Sequence, residues 1–122
     1  MKFFFSLIFF IQFIIFQAFA LERKYVPGIS DLPVPINFHL INDSSAVFYN
    51  ESGRIVEAFF KGRANRQEIS EFYDITLKAL GWQKLSFMQY VRENEVLDIS
   101  ANIIDDDQFN NLEIHFLLKP AS

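Results

Sequence analysis

Residues 65–82, NRQEISEFYDITLKALGW, decide the fold. Asn65 followed three residues later by Glu68 is a helix-start signal, because a short polar side chain there accepts from an amide that the first turn leaves unpaired. Ile69, Phe72, Tyr73, Thr76, Leu77 and Leu80 then recur at helical spacing on one face. Gly81 suits the left-handed position just past a helix end, and Trp82 behind it can fold back onto Leu77. Glu71, Asp74 and Lys78 take the outer face, with Asp74 and Lys78 spaced as a weak i,i+4 pair. One helix with one apolar stripe requires another layer to bury it.

The flanking sequence supplies that layer as strands. Upstream, Ala46 to Asn50 and Arg54 to Lys61 read as a hairpin joined through Glu51-Ser52-Gly53, with Gly62 ending the second strand. Downstream, Trp82 to Phe87 and Gln89 to Glu93 read as short strands, Val96 to Ile103 and Leu112 to Lys119 as longer ones. Leu97, Ile99, Ala101 and Ile103 share one face of the first long strand, and Leu112, Ile114, Phe116 and Leu118 share one face of the second. The opposite faces carry Asp98, Ser100, Asn102, Glu113, His115 and Lys119. The order β-β-α-β-β-β-β predicts a two-layer α+β domain over residues 46–122: an antiparallel sheet with one amphipathic helix packed on one face.

Residues 21–45 contain Pro27, Gly28, Pro33 and Pro35, and read as an extended arm that either lies across the domain or sways free. Residues 1–20, MKFFFSLIFFIQFIIFQAFA, hold eight of the chain's sixteen phenylalanines. Lys2, the apolar run from Phe3 to Phe16 and the small-x-small pattern Ala18-Phe19-Ala20 read as a secretory signal peptide cleaved after Ala20. The alternative is an uncleaved membrane anchor, since the apolar segment approaches the roughly 20 residues that span a bilayer.

Beyond the leader the remaining 102 residues suffice for one domain. They carry ten Lys and Arg against fifteen Asp and Glu, giving 10 − 15 = −5. An acidic domain with scattered cations argues against nucleic-acid binding, which relies on clustered positive charge. The absence of cysteine excludes thiol nucleophiles, thiolate metal sites, lipid-modified cysteine and disulfides, so the hydrophobic core alone must hold the fold.

The stretch Gly53-Arg54-Ile55-Val56-Glu57-Ala58, with Phe72-Tyr73, Thr76-Leu77, Leu80-Gly81-Trp82 and Tyr90-Val91-Arg92-Glu93, resembles a family of small exported alphaproteobacterial proteins. The resemblance spans roughly residues 27 to 119. It implies a bacterial envelope location, periplasmic or secreted, and brings no catalytic or binding residues with it.

Candidate chemistry is sparse. The register that pairs Ile103 with Leu112 sets Ser100 opposite His115, with Asp98 diagonal, which suggests a small hydrolase on a polar sheet face. Mid-strand amides are consumed by the ladder, however, so oxyanion donors are wanting and a solvated sheet face explains the trio better. Asp105-Asp106-Asp107 fails the calcium-loop pattern, because the sixth position is Asn110 and the twelfth Phe116. His39 and His115 have no carboxylate at ligand spacing. Neither a metal nor a cofactor is expected.

Arg54, Lys61, Arg63 and Arg66 read as one basic cluster running from the second strand into the helix start. Ile55 and Phe59 lie on the strand face opposite Val56, Ala58 and Phe60, and an exposed pair there would mark a docking patch. The expected function is therefore a non-enzymatic periplasmic binding module whose partner is another envelope protein. Membrane contact is expected only if the leader is retained, which would make the chain an anchored structural protein.

Overall fold

A computed structural model describes residues 23–104 and 111–122. The leader with its cleavage point at Ala20, and the acidic run Asp105 to Asp107, lie outside the described residues. The helix, α1, spans Arg66–Ala79, with both ends closed as its sequence dictates. At the start, Asn65 Oδ1 accepts from the Glu68 amide at 2.8 Å, while the Asn65 side-chain amide donates to Glu68 Oε1 at 2.8 Å. At the end, the Trp82 amide reaches the Leu77 carbonyl at 2.9 Å and the Gly81 amide reaches that of Lys78 at 3.2 Å. This pair of bonds requires a left-handed residue between them, and Gly81 sits at φ +91°. Trp82 and Leu77 are both buried.

Among the described residues seven antiparallel strands form one sheet: β1 (Phe38–Leu40), β2 (Ala46–Asn50), β3 (Gly53–Arg63), β4 (Gln83–Ser86), β5 (Gln89–Arg92), β6 (Glu95–Ile103) and β7 (Asn111–Pro120). Their order is β1-β3-β7-β6-β5-β4, with β2 sharing the β1 edge of β3. The architecture is the two-layer α+β arrangement, with β1 preceding the strands read from sequence. The β6–β7 register pairs Ile103 with Leu112 and Ser100 with His115.

Cross-strand partners share a face. Val56, Leu118, Leu97 and Tyr90 make one inner row, and Ala58, Phe116 and Ile99 the next. Phe116 is the hub: Phe60 meets it edge-on at 5.6 Å and Tyr73 of α1 at 5.7 Å.

The helix does not cover this face alone. Val26, Ile29, Leu32, Val34 and Phe38 are buried in the same core as Ile69, Tyr73 and Leu77. The arm closes on itself, with Val26 bonded to the Leu32 carbonyl and Val34 to that of Lys24, both at 2.9 Å. It crosses β3 so closely that a Cβ on Gly28 would stand 2.8 Å from Val56 Cγ1. The arm thus docks as a second element of the inner layer.

The second strand also outruns its expected end. Gly62 does not stop it; β3 continues to Arg63, pairing Gly62 with Phe38 on one side and Leu112 on the other. Glycine is needed there because a Cβ would run into the Asn37 carbonyl oxygen and the Phe38 ring.

Candidate functional site

The outer sheet face, opposite α1, holds both residues read as a docking pair. Ile55 and Phe59 are half-buried, neither fully covered nor openly exposed. Phe59 is partly shielded by the His115 imidazole, stacked on it at 4.2 Å with a 4° interplanar angle. Ile55 pairs across the strand boundary with Phe48 of β2, whose side chain is 57% exposed. Half-buried Leu117 and Val91 extend the apolar surface toward the centre of the sheet.

The Ser100, His115 and Asp98 trio does not assemble. Although Ser100 and His115 are cross-strand partners, His115 Nε2 lies 3.0 Å from Glu57 Oε1. Asp98 accepts from the Gln89 side-chain amide at 2.8 Å and pairs with Lys119 at 3.3 Å. The histidine is oriented by Glu57 and Phe59, with no nucleophile in that arrangement. Among the described residues no group of three or more His, Asp or Glu converges to hold a metal.

The four basic residues do not form one cluster. Arg54 and Arg63 are nine residues apart on one strand, about 30 Å at the ~3.3 Å rise of extended chain. Arg54 is also engaged: its guanidinium makes two bonds to Glu95, at 2.9 and 3.2 Å, and a third to the Gly28 carbonyl at 2.7 Å. Sequence reasoning could not find this role, because Glu95 reaches Arg54 only through the β3–β7–β6 register and Gly28 only once the arm docks. Lys61 and Arg63 stay near each other at the far end of β3, and Arg66 is exposed at the first position of α1.

Around β1 the structure builds a different basic region. On one side, a cavity of about 360 Å³ is lined by Arg23, Lys24, His39 and an apolar floor that includes Val34, Phe38 and Phe72. On the other, a shallower depression of about 530 Å³ includes His39, Lys61 and Arg63. Lys24 Nζ lies 3.5 Å from His39 Nδ1. Arg23 and Lys24 escaped the sequence reading because they lie at the start of the arm, and only its docking carries them to β1.

A third depression, of about 560 Å³, lies between the end of α1 and β4 and is lined by Asp74, Lys78, Trp82, Gln83, Lys84 and Tyr90. Three of its polar groups, Asp74, Lys84 and Tyr90, bond to one another. The Tyr90 hydroxyl donates to Asp74 Oδ1 at 2.6 Å and Lys84 to Oδ2 at 3.1 Å, which together hold the Asp74 carboxyl below its ordinary value. Burial, reinforced by that carboxylate, pushes the Tyr90 phenol up.

The sheet edges differ from one another. β4 carries Lys84 and a register irregularity between Lys84 and Ser86, while β1 is only three residues long; charge, bulges and brevity all discourage strand addition. β2, Ala46-Val47-Phe48-Tyr49-Asn50, has no charge, proline or bulge, and Tyr49 is 81% exposed. Among the described residues β2 pairs only with β3. No helix of the described residues is long and apolar enough to cross a membrane. No protein-family model, curated protein or solved structure matches the chain.

Proposed function

We propose that this protein is a non-enzymatic binding module that receives an extended segment of a partner protein along β2. The observation that carries the reading is the unguarded β2 edge. Its Phe48 side chain stands beside Ile55 on the outer face, with Glu57 between Ile55 and Phe59. Strand addition at such an edge draws affinity from backbone hydrogen bonds, and alternate side chains supply specificity. The two faces of β2 offer different surfaces for this: Phe48 on the outer side, Val47 and Tyr49 on the inner.

Export by the leader would put this edge in the cell envelope, making another envelope protein the partner. The net acidity of the domain and the dispersal of its cations favour a protein partner over nucleic acid. Retention of the leader would tether the same module at the membrane.

The test compares the full-length, C-terminally tagged chain with a Phe48→Lys/Tyr49→Lys variant, both purified from gently solubilised native envelopes and analysed by mass spectrometry. Both positions are exposed, so the fold should persist, and lysines on an edge strand oppose pairing. The expected result is a near-stoichiometric protein recovered with the native chain and lost with the variant. The same eluate from both chains, or neither bringing down a partner, would refute the proposal.

A further inference from the structure

We infer that the groove between the arm, β1 and the start of the helical layer is a binding site for a medium-chain fatty carboxylate. This site is separate from the β2 edge and does not depend on a protein partner docking there.

The groove is amphipathic in the way such a ligand requires. Its floor is apolar, from Val34, Pro35, Phe38 and Phe72, and Ile36 stands beside it with 75% of its surface exposed. Its rim is cationic, from Arg23 and Lys24, with the His39 imidazole next to the lysine. Among the described residues the lining contains no Asp or Glu. Four cations elsewhere are matched within the fold: Arg54 with Glu95, Arg92 with Asp31, Lys84 with Asp74 and Lys119 with Asp98. Lys24 Nζ instead lies 3.5 Å from His39 Nδ1, with no described carboxylate paired to it.

Size and charge narrow the ligand further. A volume of about 360 Å³ lies at the lower end of small-molecule sites, roughly 300–1,000 Å³, so a single aliphatic chain fits where a two-chain lipid does not. Cations with no described carboxylate beside them, set against an apolar floor, select an anionic headgroup over a cationic or neutral one. Lys24 Nζ and the Arg23 guanidinium would bind the carboxylate while the alkyl chain displaces water from Val34, Phe38 and Phe72.

The experiment uses protein expressed from the full-length chain and titrated with sodium dodecanoate, below its micellar range and without detergent, by calorimetry and amide NMR. Saturable binding is expected, with shifts concentrated at Lys24, Ile36, Phe38 and His39. Lys24→Glu and Ile36→Glu alter exposed groups and should leave the fold intact while weakening dodecanoate by about tenfold or more, the equivalent of ~1.4 kcal/mol. Acetate, which has the headgroup alone, and dodecyltrimethylammonium, which has the tail with opposite charge, should not compete. The inference fails if dodecanoate shows no saturable binding, if dodecyltrimethylammonium binds equally well, or if both folded variants retain native affinity.

Discussion

The hydroxyl of Tyr73, on the buried side of α1, donates a 2.8 Å hydrogen bond to the carbonyl oxygen of Pro33. This bond joins the helix to the arm inside the core, forty residues apart in sequence. Burial also holds the phenol well above its ordinary value, so it remains a neutral donor throughout the physiological range. Tyr73→Phe keeps the ring against Phe116 but strands a buried carbonyl acceptor. Loss of about 1–3 kcal/mol is expected in urea unfolding. Faster hydrogen exchange at the Val26, Leu32 and Val34 amides would show that the loss is felt in the arm.

Asp31, two residues before Pro33, fixes the arm a second time by a two-pronged contact with Arg92, at 2.7 and 3.2 Å. Arg92 in turn reaches the Leu80 carbonyl and lies 4.4 Å from the centre of the Trp82 ring. The hydrogen bonds from Arg92 hold the Asp31 carboxyl below the 3.8 of a free aspartate, against the opposing effect of partial burial. Asp74 is lowered in the same direction by Tyr90 and Lys84. A depressed carboxylate adds stability that is fully present above the unfolded value of 3.8 and is lost as pH falls through the folded value. Thermal unfolding from pH 6 down to 2 should therefore show the melting temperature dropping below about pH 4. Asp31→Asn should be less stable at pH 6 and show a shallower acid slope. Parallel acid curves for the two proteins would rule out this contribution from Asp31.

Local signals made the helix and the long hairpin legible. Asn65, Gly81 and the stripe from Ile69 to Leu77 each act within a turn or two of their neighbours, and the strict alternation of Leu112 to Leu118 leaves one register that buries it. The arm was not legible in the same way. Pro27, Pro33 and Pro35 forbid regular structure, yet Val26, Ile29, Leu32 and Val34 between them are apolar without a period, and nothing local says where they pack. The candidate site divides along the same line. Ile55 and Phe59 were placed by strand alternation, whereas the clamping role of Arg54 and the arrival of Arg23 and Lys24 beside His39 follow from arm docking.

Gly62 offers a direct probe of the place where arm meets sheet. It sits inside β3, opposite Phe38, and the ring of Phe38 occupies the space that any side chain on Gly62 would need. Backbone crowds it as well, through the Asn37 carbonyl, so a rotamer change cannot relieve the clash. Gly62→Ala is expected to cost about 1–3 kcal/mol and to displace β1. Equilibrium unfolding would read the cost, and amide shifts confined to Phe38 to Leu40 and their partners would locate it. An unchanged midpoint would mean that the arm and β3 are not held this close.

Arg54 and Lys61 belong to the same strand and look interchangeable in sequence, but their surroundings predict opposite behaviour. Arg54 bonds to Glu95 and the Gly28 carbonyl, with about a third of its side chain in contact with water. Solvent screening limits its ion pair to roughly 1 kcal/mol, and Arg54→Ala additionally leaves the Gly28 carbonyl without its donor. Lys61 is exposed on the outer face opposite Glu113, and Lys61→Ala should stay within about 0.5 kcal/mol of the native chain. In paired denaturant titrations Arg54→Ala should lower the midpoint and speed proteolysis within residues 24–34, whereas Lys61→Ala should do neither. Equal midpoints for the two variants would return Arg54 to the role of a surface cation and remove the sheet-side clamp on the arm.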